Sequence, residues 1–403
     1  MRSDVDLKPN QIDYIANPVM LTDNDSEIYQ ETVKSDINVS LRQFFAEAVR
    51  VSLKNPGQAF KFFRIVRYQM KAAKIRSQQE KQGVHVPPII IYSVTNRCNL
   101  HCKGCYHQAL HQFPQTELSD SDMRRVIGEA KELGVSFLVI AGGEPMVRTG
   151  LLDVIAANPE IIFFVFTNGT LIDDGMIARF KKQRNFVPLI SIEGMENETD
   201  DRRGHGVYNK IKEVMAKLHR AGIFFGTSLT VTRSNYSRVT EDKFVKDLSM
   251  EGCKLFLYAE YTPVREGTAD WIITEQQRLA MPDTVNHLRR IAKALFVSVP
   301  GDEEQFGGCL AAGKGFIHIS AEGNVEPCPF SPYSVSNLKK VSLRNALQSD
   351  FLRAIRENHG GLKEGSGGCA LWEEREWVQT LASTVQNTAV DRTSVVVQQT
   401  EEA

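Results

Sequence analysis

From about Pro87 onward, short runs of β-branched and aromatic residues alternate with stretches whose apolar positions recur at helical spacing. That alternation is the pattern of a parallel sheet wrapped by helices. It predicts strands over Ile89–Val94, Phe137–Ile140, Ile161–Phe166, Pro188–Ile192, Phe224–Val231 and Lys254–Glu260, enough for six βα units. Helix boundaries between them carry their own chemistry. Ser119-Asp120-Ser121-Asp122 precedes Met123, Val126 and Ile127, and Gly134 supplies the stop; a second helix runs from Tyr208 to Leu218 and ends before Gly222. The expected fold class is α/β, a partial (β/α)6 TIM-like barrel.

The flanks break the pattern. Residues 1–86 read as a helical N-terminal extension, 87–300 as the barrel core, 301–380 as a small C-terminal domain and 381–403 as a polar tail. In the extension, Leu41 to Leu53 and Ala59 to Lys74 predict a helical hairpin around Asn55-Pro56-Gly57. Phe62, Phe63, Val66, Met70 and Ala73 share one face of its second helix, beside a basic stripe of Lys61, Arg64, Arg67, Lys71 and Lys74. Such a helix packs on the barrel with its charges in water, or lies on an anionic membrane surface through residues 59–74.

Composition narrows the setting. A chain of 403 residues has material for one barrel plus appendages. Forty-eight Lys+Arg against 49 Asp+Glu leave no global electrostatic case for a nucleic-acid partner. Seven cysteines without paired spacing, and an N-terminus lacking the apolar run of a signal peptide, predict a reducing, cytoplasmic location. Runs such as Ile89–Ile91 and Ile161–Phe166 are far too short to span a bilayer.

The chemistry gathers after the strands, where barrel enzymes place it. Cys98, Cys102 and Cys105 form a C-x3-C-x2-C loop directly after the first strand. Three thiolates from one short loop can hold three irons of a four-iron cluster and leave the fourth open, which suits chemistry at the metal. Zinc is the rival ligand, with His101 or His107 completing a set of four, although the spacing does not make the usual zinc pairs. Gly142-Gly143-Glu144-Pro145, Thr167-Asn168-Gly169 and Glu193-Gly194 follow the next three strands. Tyr258, Glu260, Tyr261 and Arg265, towards the end of the sixth strand, are candidate substrate contacts; Cys253, at its other end, reads as an inert packed thiol.

Taken together, Cys98 to Tyr106, Gly142 to Pro145, Thr167 to Gly169 and Ser191 to Gly194 with Arg203-Gly204 resemble the radical S-adenosylmethionine (SAM) superfamily. More narrowly, the chain is similar to the branch with a C-terminal SPASM or twitch-type auxiliary iron–sulfur domain. The resemblance implies that Cys98, Cys102 and Cys105 ligate a [4Fe–4S] cluster whose open iron chelates SAM. Reductive cleavage then yields a 5′-deoxyadenosyl radical that abstracts a hydrogen atom. It further implies that Gly142, Gly143 and Glu144 meet the SAM amino group, that Asn168 and Ser191 meet the ribose, and that Arg203, or the adjacent Arg202, meets the carboxylate. Relatives place an aromatic before the third cysteine to pack on the adenine; here Gly104 stands there and Tyr106 is the candidate.

Cys309, Cys328 and Cys369 follow the barrel, with a predicted hairpin turning at Glu322-Gly323-Asn324 and glycines beside Cys309 and Cys369. Three cysteines suffice for one auxiliary [4Fe–4S] cluster, not for the two of a full SPASM set. The basic amphipathic arm favours a small-molecule or lipid-like substrate, and a low-potential electron donor of ferredoxin or flavodoxin type is the expected partner. Peptide maturation ranks lower, because residues 1–86 show no strand-rich leader-binding module. A non-catalytic metal scaffold is the remaining alternative.

Overall fold

A computed structural model describes residues 56–111, 116–183, 185–299, 308–358, 362 and 369–386. The predicted helix over residues 41–53 lies outside them.

Helix α1 (Pro56–Glu80) leads into β1 (Ile89–Ser93). After the cysteine loop comes α2 (Tyr106–Leu110), then α3 (Asp120–Leu133), β2 (Phe137–Ala141), α4 (Leu151–Ala157), β3 (Ile162–Thr167), α5 (Asp174–Lys182) and β4 (Phe186–Ser191). The barrel continues through α6 (Glu196–Arg203), α7 (Val207–Arg220), β5 (Gly226–Val231), α8 (Tyr236–Val239), α9 (Asp242–Met250), β6 (Leu255–Glu260), α10 (Glu275–Ile291) and β7 (Leu295–Val299). The C-terminal part holds β8 (Phe316–Ile319), β9 (Val325–Glu326), α11 (Leu343–Leu347), α12 (Asp350–Glu357) and α13 (Ala370–Glu373).

The nine strands among the described residues form one sheet, a half-barrel in the order β7-β6-β5-β4-β3-β2-β1-β8-β9. Every pairing is parallel except β8 with β9. The sequence pattern missed β7 and foresaw the β8–β9 hairpin without its docking on β1. Helix α3 begins where its signals sit: Ser119 and Asp122 make a reciprocal capping box, and Gly134, at φ 88°, closes the end. Pro188 lies inside β4 although proline lacks a ladder N–H; β5 pairs β4 only from Leu189 onward, so that missing donor faces no partner there.

Strand alternation sorts the sheet into two faces. Ile90, Tyr92, Leu138, Ile140, Phe163, Val165, Phe256 and Tyr258 pack in the main core with Ile127, Ile155, Val214 and Leu248 of the helices. The concave face is lined by Phe137, Ile162 and Val187 towards one end, and by Leu189, Leu255 and Leu295 with Phe164, Phe166, Phe224, Leu257 and Val297.

Ile65 of α1 packs against the Phe137 cluster, Gln69 donates to the Glu160 carbonyl, and Arg76 donates to the Gly134 carbonyl and the Ser136 hydroxyl. The packed stripe is therefore Ile65, Gln69, Ala72 and Arg76, rotated from the expected one, and Met70 is 70% exposed. At the other end, helix runs on through residues 375–386, with Val378 and Ala382 buried, so the polar tail expected from residue 381 does not start there.

Candidate active site

The cysteine loop is built against the loop after β2. The Gly143 N–H donates to the Thr95 carbonyl at 2.7 Å and the Glu144 N–H to the Arg97 carbonyl at 2.9 Å. A Cβ on Gly142, at φ 114°, would stand 2.4 Å from the Thr95 oxygen, and one on Gly143 2.2 Å from the Arg97 oxygen. The two glycines thus serve the close approach of two backbones, which places the cysteine loop.

Glu144 is 1% exposed. Its carboxylate accepts from the Met146 N–H at 3.0 Å, the Thr167 hydroxyl at 2.7 Å and the Asn168 N–H at 2.7 Å. Burial raises its pKa, and those donors oppose the rise. It is first a joint between the loops after β2 and β3, not the open acceptor expected for it. Asn168 is similarly engaged: its amide donates to Asn99 at 2.9 Å and its oxygen accepts from the Thr170 N–H and hydroxyl. Asn168, the expected ribose contact, thus braces the cysteine loop through Asn99. Ser191 ends β4 on the concave face, half-buried, in register with Ser228 of β5.

Positive charge gathers beside the thiols. Glu193, 1% exposed, takes Arg203 on Oε1, at 2.9 Å from Nε, and Arg202 on Oε2 at 2.8 Å. The Lys103 N–H donates to the Arg202 carbonyl, and Arg202 Nε donates back to the Lys103 carbonyl. Burial pushes the Cys102 thiol up, and the nearby guanidiniums, Arg203 ahead of Arg202, pull it down. The expected carboxylate-binding Arg203 is thus already held on Glu193. Cys98, too, is raised by burial, and the charges of Cys102 and Cys105 add to the rise.

Three of the sequence expectations are corrected. Tyr258 is buried among the helix-side core residues, and its hydroxyl donates to the Val239 carbonyl at 3.0 Å. Glu260 shares its parity and pairs with Arg278 of α10. With a period of two, Leu257 and Ala259 face the concave side instead. Tyr106 does not pack at the Gly104 position. Its ring meets Phe330 at 5.1 Å and the edge of His111 at 6.3 Å, between Cys105 and Cys328. At Gly104, φ 64°, a Cβ would fall 2.7 Å from the Trp271 ring and 2.9 Å from the Tyr261 hydroxyl. The aromatic pair at that position is therefore Tyr261 and Trp271, whose rings lie 5.2 Å apart. Trp271 ends a single 3-10 turn, Ala269–Trp271, with no motif signal, and only tertiary structure brings it there.

The second cysteine group also converges. The Cys328 thiol lies in hydrogen-bond reach of Cys369 and feels Cys309; that contact, then burial, raises it well above the ordinary thiol range. The Ala312 N–H donates to the Pro327 carbonyl at 3.0 Å, tying the Cys309 segment to the Cys328 segment. All seven cysteines are free thiols. Cys253 is fully buried and pushed up to about 12 by desolvation, in keeping with a packed thiol. Two converging sets of three thiols, one beside paired guanidiniums, fit anionic thiolate-held clusters.

Comparisons agree with that donor chemistry. A model of the radical SAM superfamily matches residues 92–245, and a model of an iron–sulfur cluster-binding domain matches residues 309–370. An AdoMet-dependent heme synthase of Methanosarcina barkeri is 24% identical over 319 residues, covering 72% of this chain and 90% of that protein. The mycofactocin maturase MftC of Mycolicibacterium smegmatis is 26% identical over 318 residues, covering 73% and 77%. Among solved structures, SuiB of Streptococcus suis bound to S-adenosylmethionine superposes with a TM-score of 0.59 at 17% identity, covering 86% of this chain and 84% of that one.

Proposed function

The chain belongs to the radical SAM superfamily and carries a C-terminal iron–sulfur domain, and from that premise we propose that it abstracts a hydrogen atom from a small, largely apolar organic substrate on the concave face of the barrel. It is an enzyme, and SAM, a [4Fe–4S] cluster and an auxiliary iron–sulfur cluster are its cofactors. The observation that carries the substrate class is the lining: Phe164, Phe166, Phe224, Leu257 and Val297 are only partly covered by protein, with Ser191 the polar group at the strand end. Apolar walls with a few polar groups suit an apolar small molecule.

Cys98, Cys102 and Cys105 hold the SAM-binding cluster, and Cys309, Cys328 and Cys369 the auxiliary one. When bound, the first cluster and SAM supply a carbon-centred radical that takes hydrogen from an unreactive C–H bond. The chain's own residues do the rest. Arg202 and Arg203 offset the negative charge of the thiolates. Glu144 and Asn168 fix the loop, Ser191 offers a hydroxyl to the ribose, and the apolar lining keeps water from the reacting carbon. A low-potential donor of ferredoxin or flavodoxin type supplies the electron in a reducing cytoplasm. Among the described residues no helix is long and apolar enough to cross a membrane. Exposed Met70 with Arg67, Lys71 and Lys74 supports contact with an anionic membrane surface through α1.

Likeness to the mycofactocin maturase favours a second reading, a peptide substrate. Both are tested by incubating the reconstituted enzyme anaerobically with SAM and dithionite, and measuring how extract fractions change 5′-deoxyadenosine formation. Stimulation by the organic-extractable small-molecule fraction supports the first reading, and stimulation by the peptide fraction alone transfers support to the second. No SAM cleavage in any fraction contradicts both.

A further inference from the structure

A buried histidine cluster lies outside both cysteine sets, where β8 and β9 join β1. His318 stands in register with Ile91 on the adjacent parallel strand, and so faces the concave side. Its antiparallel partner is Glu326, whose Oε2 lies 2.6 Å from His318 Nδ1; His318 Nε2 lies 2.8 Å from the Ser93 hydroxyl. His107 and His111, four apart at α2, stack face to face with centroids 5.2 Å apart, and the His111 ring is 5.3 Å from His318. None of the four is more than 3% exposed.

Three features point to a ligand here. One ligand atom from each of His111, His318 and Glu326 lies within 4.8 Å of the other two. The outer ring nitrogens are held as in metal sites: His111 Nε2 donates to the Pro329 carbonyl at 2.9 Å, which leaves Nδ1 as its lone pair, and Ser93 holds His318 Nε2. The third feature is His107, whose ring nitrogens are both buried without a hydrogen-bond partner beside this group. A buried imidazole with both nitrogens unpaired has lost its water contacts without replacement, and a bound species supplies that replacement. Among the described residues no lysine or arginine pairs with Glu326.

We propose that His111, His318 and Glu326, with His107 beside them, bind a divalent first-row transition-metal ion of the zinc or iron(II) class. Imidazole and carboxylate donors suit that class, and three protein ligands leave a coordination position for water or a substrate oxygen. The ion ties α2, which begins directly after Cys105, to the hairpin that ends two residues before Cys328. It thereby fixes one cysteine set relative to the other. The site stands apart from the barrel lining, whatever substrate that lining accepts.

Zinc is the probe, because it is redox-silent beside the clusters. Holoprotein fully loaded with iron and sulfide is exposed to Zn²⁺, desalted anaerobically and assayed for zinc per chain and for zinc X-ray absorption. The comparison set is His111→Gln, Glu326→Gln and, as a control, His205→Gln, whose side chain is fully exposed. The expected result is about one retained zinc in the wild type and the control, with a nitrogen and oxygen shell at about 2.0–2.1 Å. Each cluster variant binds zinc at least about tenfold more weakly with iron and sulfide unchanged. Absence of retained zinc in the wild type, sulfur in its zinc shell, or undiminished zinc in both variants overturns the proposal. If a variant also loses iron, the wild-type shell decides: nitrogen and oxygen alone support the site, and sulfur refutes it.

Discussion

The two cysteine sets reach a similar donor count by opposite routes. Cys98, Cys102 and Cys105 come from one loop, are only partly buried, and sit beside two guanidiniums that favour thiolate at Cys102. Cys309, Cys328 and Cys369 come from segments far apart in sequence; Cys309 and Cys328 are buried, and the largest influence on Cys328 is another cysteine, which raises it. A local, electropositive, accessible set can be organised by its own loop and the adjoining strand ends and still meet a cofactor. A dispersed, dry set has little besides a metal to hold its charges together. On the proposed reading the first set serves the chemistry and the second holds the C-terminal domain in place.

Substitution at matched positions should pull the two sites apart. Cys102→Ser abolishes SAM cleavage, measured as 5′-deoxyadenosine, and leaves the melting temperature of the apoprotein almost unchanged. Cys328→Ser lowers the melting temperature of the loaded protein by several degrees and frees the C-terminal segment to proteolysis. Equal effects of the two on stability would erase the distinction. Next in size, Glu193→Gln leaves two buried guanidiniums without their carboxylate, and chemical denaturation should report a loss of about 3–5 kcal/mol. Gly143→Ala drives a Cβ into the Arg97 carbonyl, with an expected loss of about 1–3 kcal/mol. About four irons per chain, those of the loop cluster alone, should go with it. The smallest effect tests the face assignment of β6. Tyr258→Phe removes one hydrogen bond, to Val239, for about 0.5–1.5 kcal/mol, with SAM cleavage intact; a collapse of turnover would return Tyr258 to the cavity.

The barrel was legible because alternation and capping are local signals. Ser119, Asp122 and Gly134 state the ends of α3, and each of the six expected strands overlaps an observed one. Motif residues were legible as a set, but less so in what they touch. Glu144, Asn168 and Arg203 are engaged by Thr167, Asn99 and Glu193, partners that only the folded strand ends bring together. The misplacement of Tyr258 and Glu260 is a parity error, since a strand's direction can be read from sequence while its inward face depends on the register of its neighbours. The histidine cluster left half a signal. His107 and His111 share a helix face at four-residue spacing, whereas His318 and Glu326 meet only through the register of the β8–β9 hairpin.

The most direct test is anaerobic iron and sulfide analysis with EPR, with and without SAM, on the wild type and on the Cys98→Ala, Cys102→Ala, Cys105→Ala triple variant. Two independent four-iron sites predict about eight irons in the wild type and about four in the variant, with the SAM-induced spectral change present in the first and lost in the second. About four irons in the wild type and none in the variant would reduce Cys309, Cys328 and Cys369 to ordinary thiols and contradict the two-site account.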